Sequence, residues 1–296
     1  MKVKFWGVRG SIPSPGPRTA RYGGNTTCIE VRTDNGTLIV LDGGTGIYAL
    51  AQSLPPGRPV EANIFITHSH WDHIHGLPFF SPLFVRGSRV RLHGAYDPVT
   101  GNGIEHVMAI QLQNSYFPVS ETAMAATIEY RTLAIGEALE VADAVVRNAE
   151  MNHPVTDLGY RIDCNGKSVF FSGDHEPEYN HHAEGDLGHA AFHLDMARRQ
   201  QAIETIVRDV DVLIMDCSYT REEYPAKRGW GHGTFDAAFA LALGSGAKRL
   251  YCTHHEPSRG DTELEAVFAD VMARHAPLPD GLQVFLAYEG LEIELP

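Results

Sequence analysis

His68-Ser69-His70-Trp71-Asp72-His73 places three imidazoles and a carboxylate within six positions, directly after the β-branched and aromatic run 62–67, ANIFIT. That run reads as a buried strand. At a strand end that turns into a helix, His68 and His70 can converge on one cation, while Asp72 and His73 on the first helical turn reach a second. A histidine-rich surface loop, the bland alternative, has no reason to keep this spacing behind a buried strand. A centre for two metals needs further ligands, so the rest of the chain tests the idea.

The further ligands are present, each at the end of an expected strand. His153, in Asn152-His153-Pro154, follows the strand expected over 144–147. Asn165-Gly166 signals a hairpin between strands over 160–163 and 168–172, and the second strand runs into Gly173-Asp174. A carboxylate such as Asp174 can bridge two cations, which an imidazole or an amide cannot. His254, in Thr253-His254-His255-Glu256-Pro257, follows the apolar strand expected over 249–252. Asp42, in Leu41-Asp42-Gly43-Gly44, can accept from a ligand histidine and orient it, with a plain turn aspartate as the alternative. His75, His175 and His255 read as bystanders. His181, His182, His189 and His193 either line an entrance or decorate a loop.

The segment His68 to His73 resembles the H-x-H-x-D-H signature of the metallo-β-lactamase superfamily, with His153, Asp174 and His254 at the later ligand positions in order. The resemblance implies a four-layer αββα sandwich of α/β class. It also implies His68, His70 and His153 on one metal, Asp72, His73 and His254 on the other, and Asp174 between them. Thr253-His254 with Arg259 is similar to the T-H-x-x-x-x-R context of the ribonuclease Z and cyclic phosphodiesterase branch. Gly231-His232-Gly233-Thr234 resembles that branch's His-Ser-Thr motif, whose histidine assists phosphodiester cleavage, and Asp216 resembles the histidine's acidic partner. Two positions depart from the pattern: Gly233 stands in place of serine, and Asp216 where glutamate is common.

Working outward, the chain's first third reads as a meandering sheet, with strands over 2–6, 26–32 and 37–41 and a short helix over 46–54. Later, helices over 194–208, 235–243 and 262–273 alternate with strands over 212–215 and 249–252, before closing strands over 283–287 and 291–295. Two sheets packed face to face with helices outside account for this order. No repeat or linker divides the 296 residues, so one domain over 1–296 is expected, with insertions near 95–130 and 175–195 where the pattern fits the core poorly.

A content of 43% hydrophobic and 21% charged residues is that of a folded globular protein. The net charge of −13 excludes a general electrostatic grip on nucleic acid, and there is no long basic arm, so transfer RNA is not the expected substrate. No apolar run is long enough to span a bilayer and no signal peptide opens the chain, which makes the cytoplasm the expected location and leaves no membrane partner. The four cysteines form no C-x-x-C pair and read as buried thiols. Dimers are common among similar proteins, which leaves a homodimer open.

The expected activity is hydrolysis by two divalent metal ions, zinc first with Mn2+ or Fe2+ as alternatives, acting on a small (cyclic) phosphodiester through a metal-bridging hydroxide. Asp72, His232 and Asp216 are the expected catalytic residues: Asp72 accepts a proton, His232 serves the leaving group, and Asp216 holds its ring. A carbonyl substrate such as a lactone, β-lactam or thioester is the enzymatic rival, and a catalytically silent metal-binding sensor the rival of another class. A flavo-diiron type of redox centre has an acidic residue where His70 stands.

Overall fold

In the structure, a computed structural model that describes residues 1–295, short apolar runs separated by turns build fourteen strands and six α-helices among the described residues. The first sheet uses β1 (Lys2–Gly7), β2 (Cys28–Arg32), β3 (Leu38–Leu41), β4 (Glu61–Phe65), β5 (Arg89–Ala95) and β6 (Thr127–Leu133). The second uses β7 (Ala138–Val141), β8 (Ala144–Met151), β9 (Asp157–Cys164), β10 (Lys167–Phe171), β11 (Val212–Asp216), β12 (Arg249–Thr253) and β13 (Gln283–Leu286). A last strand, β14 (Glu292–Glu294), returns to pair with β1, so the spatial orders are β14-β1-β2-β3-β4-β5-β6 and β13-β12-β11-β10-β9-β8-β7.

Three layers of apolar packing join these sheets to their helices. Phe5, Ile39, Phe65, Tyr160, Phe171 and Ile214 lie between the sheets. On the outer face of the first sheet, α1 (Gly46–Ser53) and α3 (Ile104–Gln111) bring Ile47, Leu50 and Met108 onto Val40, Ile64 and Leu92, while the single turn α2 (Trp71–Ile74) follows β4. Against the second sheet, α4 (His189–Ile206), α5 (Phe235–Ser245) and α6 (Asp261–Arg274) set Ile203, Phe239 and Leu264 against Phe170 and Leu213. The layers are therefore α, β, β, α. No helix among the described residues is long and apolar enough to cross a membrane.

Strand direction positions the site. β3, β4 and β5 run parallel, as do β10, β11 and β12, and both faces of these strands are covered, so sequences such as LIVL and VLIMD are apolar throughout. Parallel strands end at a common edge, where side chains from several loops can meet. β8 and β10 each pair antiparallel with β9, which sends the end of β8 to the same edge.

Two parts of the sequence reading change. Of the stretch 95–130, α3 packs on β5 and β6, and β6 itself is the edge strand of the first sheet, paired in parallel with β5. Its sequence, TIEYRTL, is half solvent-facing, so it lacks the continuous apolar run by which the inner parallel strands announce themselves. The last long helix before β11 begins at His189, earlier than the expected 194.

Candidate metal centre

Nine of the residues singled out in the sequence meet at this edge. Asp42 follows β3; His68 to His73 follow β4; His153, Asp174 and His254 follow β8, β10 and β12; Asp216 closes β11. Extended backbone at His70 (φ −64°, ψ 150°) starts α2 abruptly, so the helix's first turn presents Asp72 and His73 beside His68. Asp42 and His254 both adopt left-handed backbone, with φ of 62° and 56°. Non-glycine residues pay for that conformation, and its occurrence at two positions facing one cluster marks a site whose geometry outweighs local strain. At Gly173 (φ 62°) a Cβ would stand 2.6 Å from the Asp157 carboxylate, so only glycine lets the chain turn there.

Two groups of ligand atoms share Asp174. In the first, His70 Nδ1 is 3.0 Å from His68 Nε2 and 3.0 Å from His153 Nε2, and Asp174 Oδ2 is 3.6 and 3.9 Å from those two nitrogens. In the second, Asp72 Oδ2 is 3.3 Å from His73 Nε2 and 3.2 Å from His254 Nε2, while Asp174 Oδ1 is 3.3 and 3.0 Å from the same nitrogens. Each oxygen of Asp174 therefore faces a different group. A tetrahedral zinc with bonds of ~2.0–2.1 Å separates its ligand atoms by ~3.4 Å, in the middle of these spacings.

The outer ring nitrogens decide which electrons face inward. His68 Nδ1 donates to Asp157 Oδ2 (2.8 Å), His73 Nδ1 to Asp42 Oδ2 (2.7 Å), and His153 Nδ1 to the Gly231 carbonyl (2.8 Å). Ser218 Oγ donates its one proton to Asp216 Oδ1 (2.7 Å) and can then accept from His254 Nδ1 (3.0 Å). The Nε2 atoms of these four histidines are thereby left as inward lone pairs, the tautomer a metal requires, while His70 turns its Nδ1 inward. Lone pairs 3.0 Å apart repel unless a positive charge lies between them, and a single N–H on His70 can serve only one of its two neighbours. His73 Nε2 and Asp174 Oδ1 are buried with no hydrogen-bond partner among the described residues. Burying such groups unpaired is costly, and cations satisfy them, so the residues present fit a pair of metal ions.

Electrostatics divide the donor set. Against burial, the charge of Asp174 and its neighbouring carboxylates raises His73 well above and His254 above the ordinary imidazole value, so that without a cation a proton takes the cation's place there. The other pair differs. Burial holds the His68 imidazole well below its ordinary value and lowers His153 to about 4, so both are neutral donors at pH 7. Burial opposes ionisation of Asp174, but His254, His73 and His232 together keep its carboxyl well below the carboxylate range.

His232 stands beside the groups. Its Nδ1 donates to Asp216 Oδ2 (3.1 Å) and lies 3.6 Å from Asp174 Oδ2, and its ring stacks on His254 at 4.9 Å. Burial lowers the imidazole's affinity for a proton, yet the charges of Asp174 and Asp216 outweigh it and raise the group to about 9. Together with Ser11, Ser69, His70, Trp71, Asp72 and Asp174 it lines an open cleft of about 370 Å³. His175 and His255 turn elsewhere: His175 Nδ1 accepts from the Asn152 amide, and His255 Nε2 donates to the Ala287 carbonyl. His181 and His182 pack on Phe192, and neither they nor His189 and His193 line this cleft. All four cysteines are buried and free.

Three supporting residues escape a reading of the sequence. Asp157 opens the apolar strand β9, and its fully buried carboxylate is the partner of His68. Ser218 connects His254 to Asp216, and is itself held by Arg259, whose Nη1 donates to the Ser218 carbonyl (2.9 Å). Glu176, two positions beyond Asp174, accepts from the Gly229 and Gly231 amides (2.8 and 2.9 Å) and so fixes the backbone that receives His153. Asp157→Ala is expected to weaken metal binding by about 10–100-fold, measured by competition with a chelator. Unaltered affinity would remove Asp157 from the centre.

A family model described as a beta-lactamase superfamily domain matches residues 37–255. Among curated proteins, the chain is 26% identical to a ribonuclease BN of Cronobacter sakazakii, over 92% of this chain and 95% of the relative. Among solved structures, it is similar to the metallo-beta-lactamase fold protein YhfI from Bacillus subtilis, with a TM-score of 0.68, 16% identity and 99% of each chain covered. It also resembles a diphosphatase from the PhnP family, with a TM-score of 0.63, 21% identity, and 100% of this chain and 98% of that one covered.

Proposed function

Because this chain belongs to the β-lactamase superfamily, whose family model matches residues 37–255, we propose that it is a dinuclear metal-dependent hydrolase that cleaves a small phosphodiester. His68, His70 and His153 would hold one cation, Asp72, His73 and His254 the other, and Asp174 both. A donor set of five imidazoles and two carboxylates suits zinc, with manganese or iron as alternatives. The work would be done by one domain over 1–296. Four free cysteines fit the reducing cytoplasm. When bound, the cations would supply Lewis acidity, lowering the pKa of water from 15.7 towards ~7 and neutralising charge on the phosphoryl oxygens.

The chain's own residues do the rest. Asp72 is held by Oδ2 through the Ser11 amide (2.7 Å), which leaves Oδ1 to take a proton at the cleft. His232 commits Nδ1 to Asp216 and has Nε2 free of protein partners among the described residues, so an imidazolium there can protonate a departing alkoxide or bind a phosphoryl oxygen. Asp216 is itself fixed through its amide, which donates to Ser172 Oγ (3.1 Å), and through Oδ1, which accepts from Ser218 Oγ (2.7 Å), and so sets the angle of the ring.

The His232–Asp216 pair is the observation that carries the choice of substrate. An alkoxide leaving phosphorus gathers charge in the same transition state that hydroxide attacks and so draws on an acid at that position, whereas addition of hydroxide to a carbonyl precedes departure of the leaving group and draws on it less. The likeness to a ribonuclease BN supports phosphodiester chemistry, and the net charge of −13 favours a small diester over transfer RNA. The test is a panel of bis(p-nitrophenyl) phosphate, cyclic nucleotides, a homoserine lactone and a chromogenic β-lactam. Turnover of the phosphodiesters is the expected outcome; turnover of the carbonyl members alone would reject the proposal.

A further inference from the structure

Beside His232, the segment 220–230 leaves the site and returns to it. A bridge between Tyr219 and Thr234 closes its base, with the Tyr219 amide donating to the Gly233 carbonyl (3.0 Å). The carboxylate of Glu176, only 3% exposed, pins its far limb through the Tyr224 hydroxyl (2.8 Å) and the Gly229 and Gly231 amides. The loop is thus a fixed wall. Its charges are unevenly matched: Glu222 is paired with Arg221 (2.6 Å) and Glu223 with Arg259 (2.6 Å), which leaves Lys227 and Arg228. Among the described residues neither has a carboxylate within 4.0 Å.

Aromatic rings hold both cations in place. Lys227 Nζ lies 4.0 Å from the centre of the Trp230 ring and 5.7 Å from that of Tyr219, while the Arg228 guanidinium lies 5.4 and 5.8 Å from Tyr179 and Tyr224. Tyr219 in turn meets the His232 ring edge-on at 5.9 Å, so Lys227 is separated from His232 by one ring. An aromatic face attracts a cation without neutralising it, and each charge stays available to an anion.

We propose that Lys227 and Arg228 form a second anion site at the rim of the metal cleft, so that the preferred substrate is a phosphodiester carrying a further phosphate on the group beside His232. The proposal rests on the phosphodiesterase reading above. It explains how a strongly acidic chain would favour a polyanionic small molecule: the attraction is local, confined to a rigid loop.

The methyl phosphodiester of the thymidine 5′-hydroxyl and its 3′-phosphorylated counterpart, in which the nucleoside is the leaving alcohol, form the test pair. Chromatography follows release of that nucleoside, and the two esters are compared by the ratio of their kcat/KM values. The wild-type protein is expected to prefer the 3′-phosphorylated ester by about tenfold. That preference should vanish in Lys227→Ala/Arg228→Ala, return in Lys227→Arg/Arg228→Lys, and persist in Arg58→Ala/Arg86→Ala, which removes two exposed charges at the other end of the strands. No preference in the wild type, or an equal loss in the remote variant, would overturn the site. Calorimetric binding of thymidine 3′,5′-bisphosphate and thymidine 5′-monophosphate to the metal-loaded protein reads the same contrast without turnover. If neither ester is hydrolysed, the phosphodiesterase reading fails, but a binding preference lost in the Lys227/Arg228 variant still supports the anion site; equal or undetectable binding of both nucleotides overturns it.

Discussion

Asp174→Asn is expected to leave a folded protein that retains at most one cation per chain and has lost about 10³-fold or more of its turnover, since a two-metal centre supplies several kcal/mol of stabilisation to the transition state. The substitution preserves volume and one oxygen. It removes the second oxygen, and with it contact to one of the two ligand groups, because Oδ2 faces His68 and His153 while Oδ1 faces His73 and His254. An amide nitrogen turned to either side presents hydrogens to a cation. Elemental analysis of the purified variant and its rate on bis(p-nitrophenyl) phosphate are the readouts, with far-ultraviolet circular dichroism to establish that it folds. Two equivalents of metal and undiminished turnover would show that Asp174 does not join the groups.

His232→Ala separates catalysis from metal binding. The side chain lies outside the seven ligand positions, so metal content should match the wild type, while turnover should fall by about 10²–10⁴-fold, the range for loss of a general acid. The loss should be greatest for esters with poor leaving groups and smaller for p-nitrophenol, which departs without a proton. Asp216→Asn would be milder, because Ser218 continues to hold the amide oxygen in place. Equal rates for wild type and His232→Ala on every ester would remove the imidazole from the reaction.

Much of the centre is legible in the sequence because parallel strands write it there. A strand buried on both faces is a short apolar run with a sharp end, and a histidine or aspartate just past that end lies at the one edge where such loops gather. His68 to His73, His153, Asp174 and His254 could be picked out on that basis, and Asp42 by its place at the end of β3, whereas His232 and Asp216 are singled out by the resemblance. The αββα order follows likewise from the alternation after residue 194. What escapes notice is whatever depends on pairing across the sheets. Asp157 looks like the polar start of a strand until the fold brings its carboxylate to His68, and Ser218 looks like a loop serine until β11 and β12 lie side by side. β6 is missed because an edge strand shares its polar face with solvent, and the charge balance of the segment 220–230 is invisible until Glu223 is seen to be taken by Arg259, some distance along the chain.

Everything in this account depends on inward lone pairs from five histidines and charge from Asp72 and Asp174 being matched by two cations. The most direct measurement is the metal content of the wild-type protein after supplementation with zinc, or manganese or iron, and removal of unbound ion: close to two equivalents per chain is the predicted result, and only trace divalent metal would contradict it.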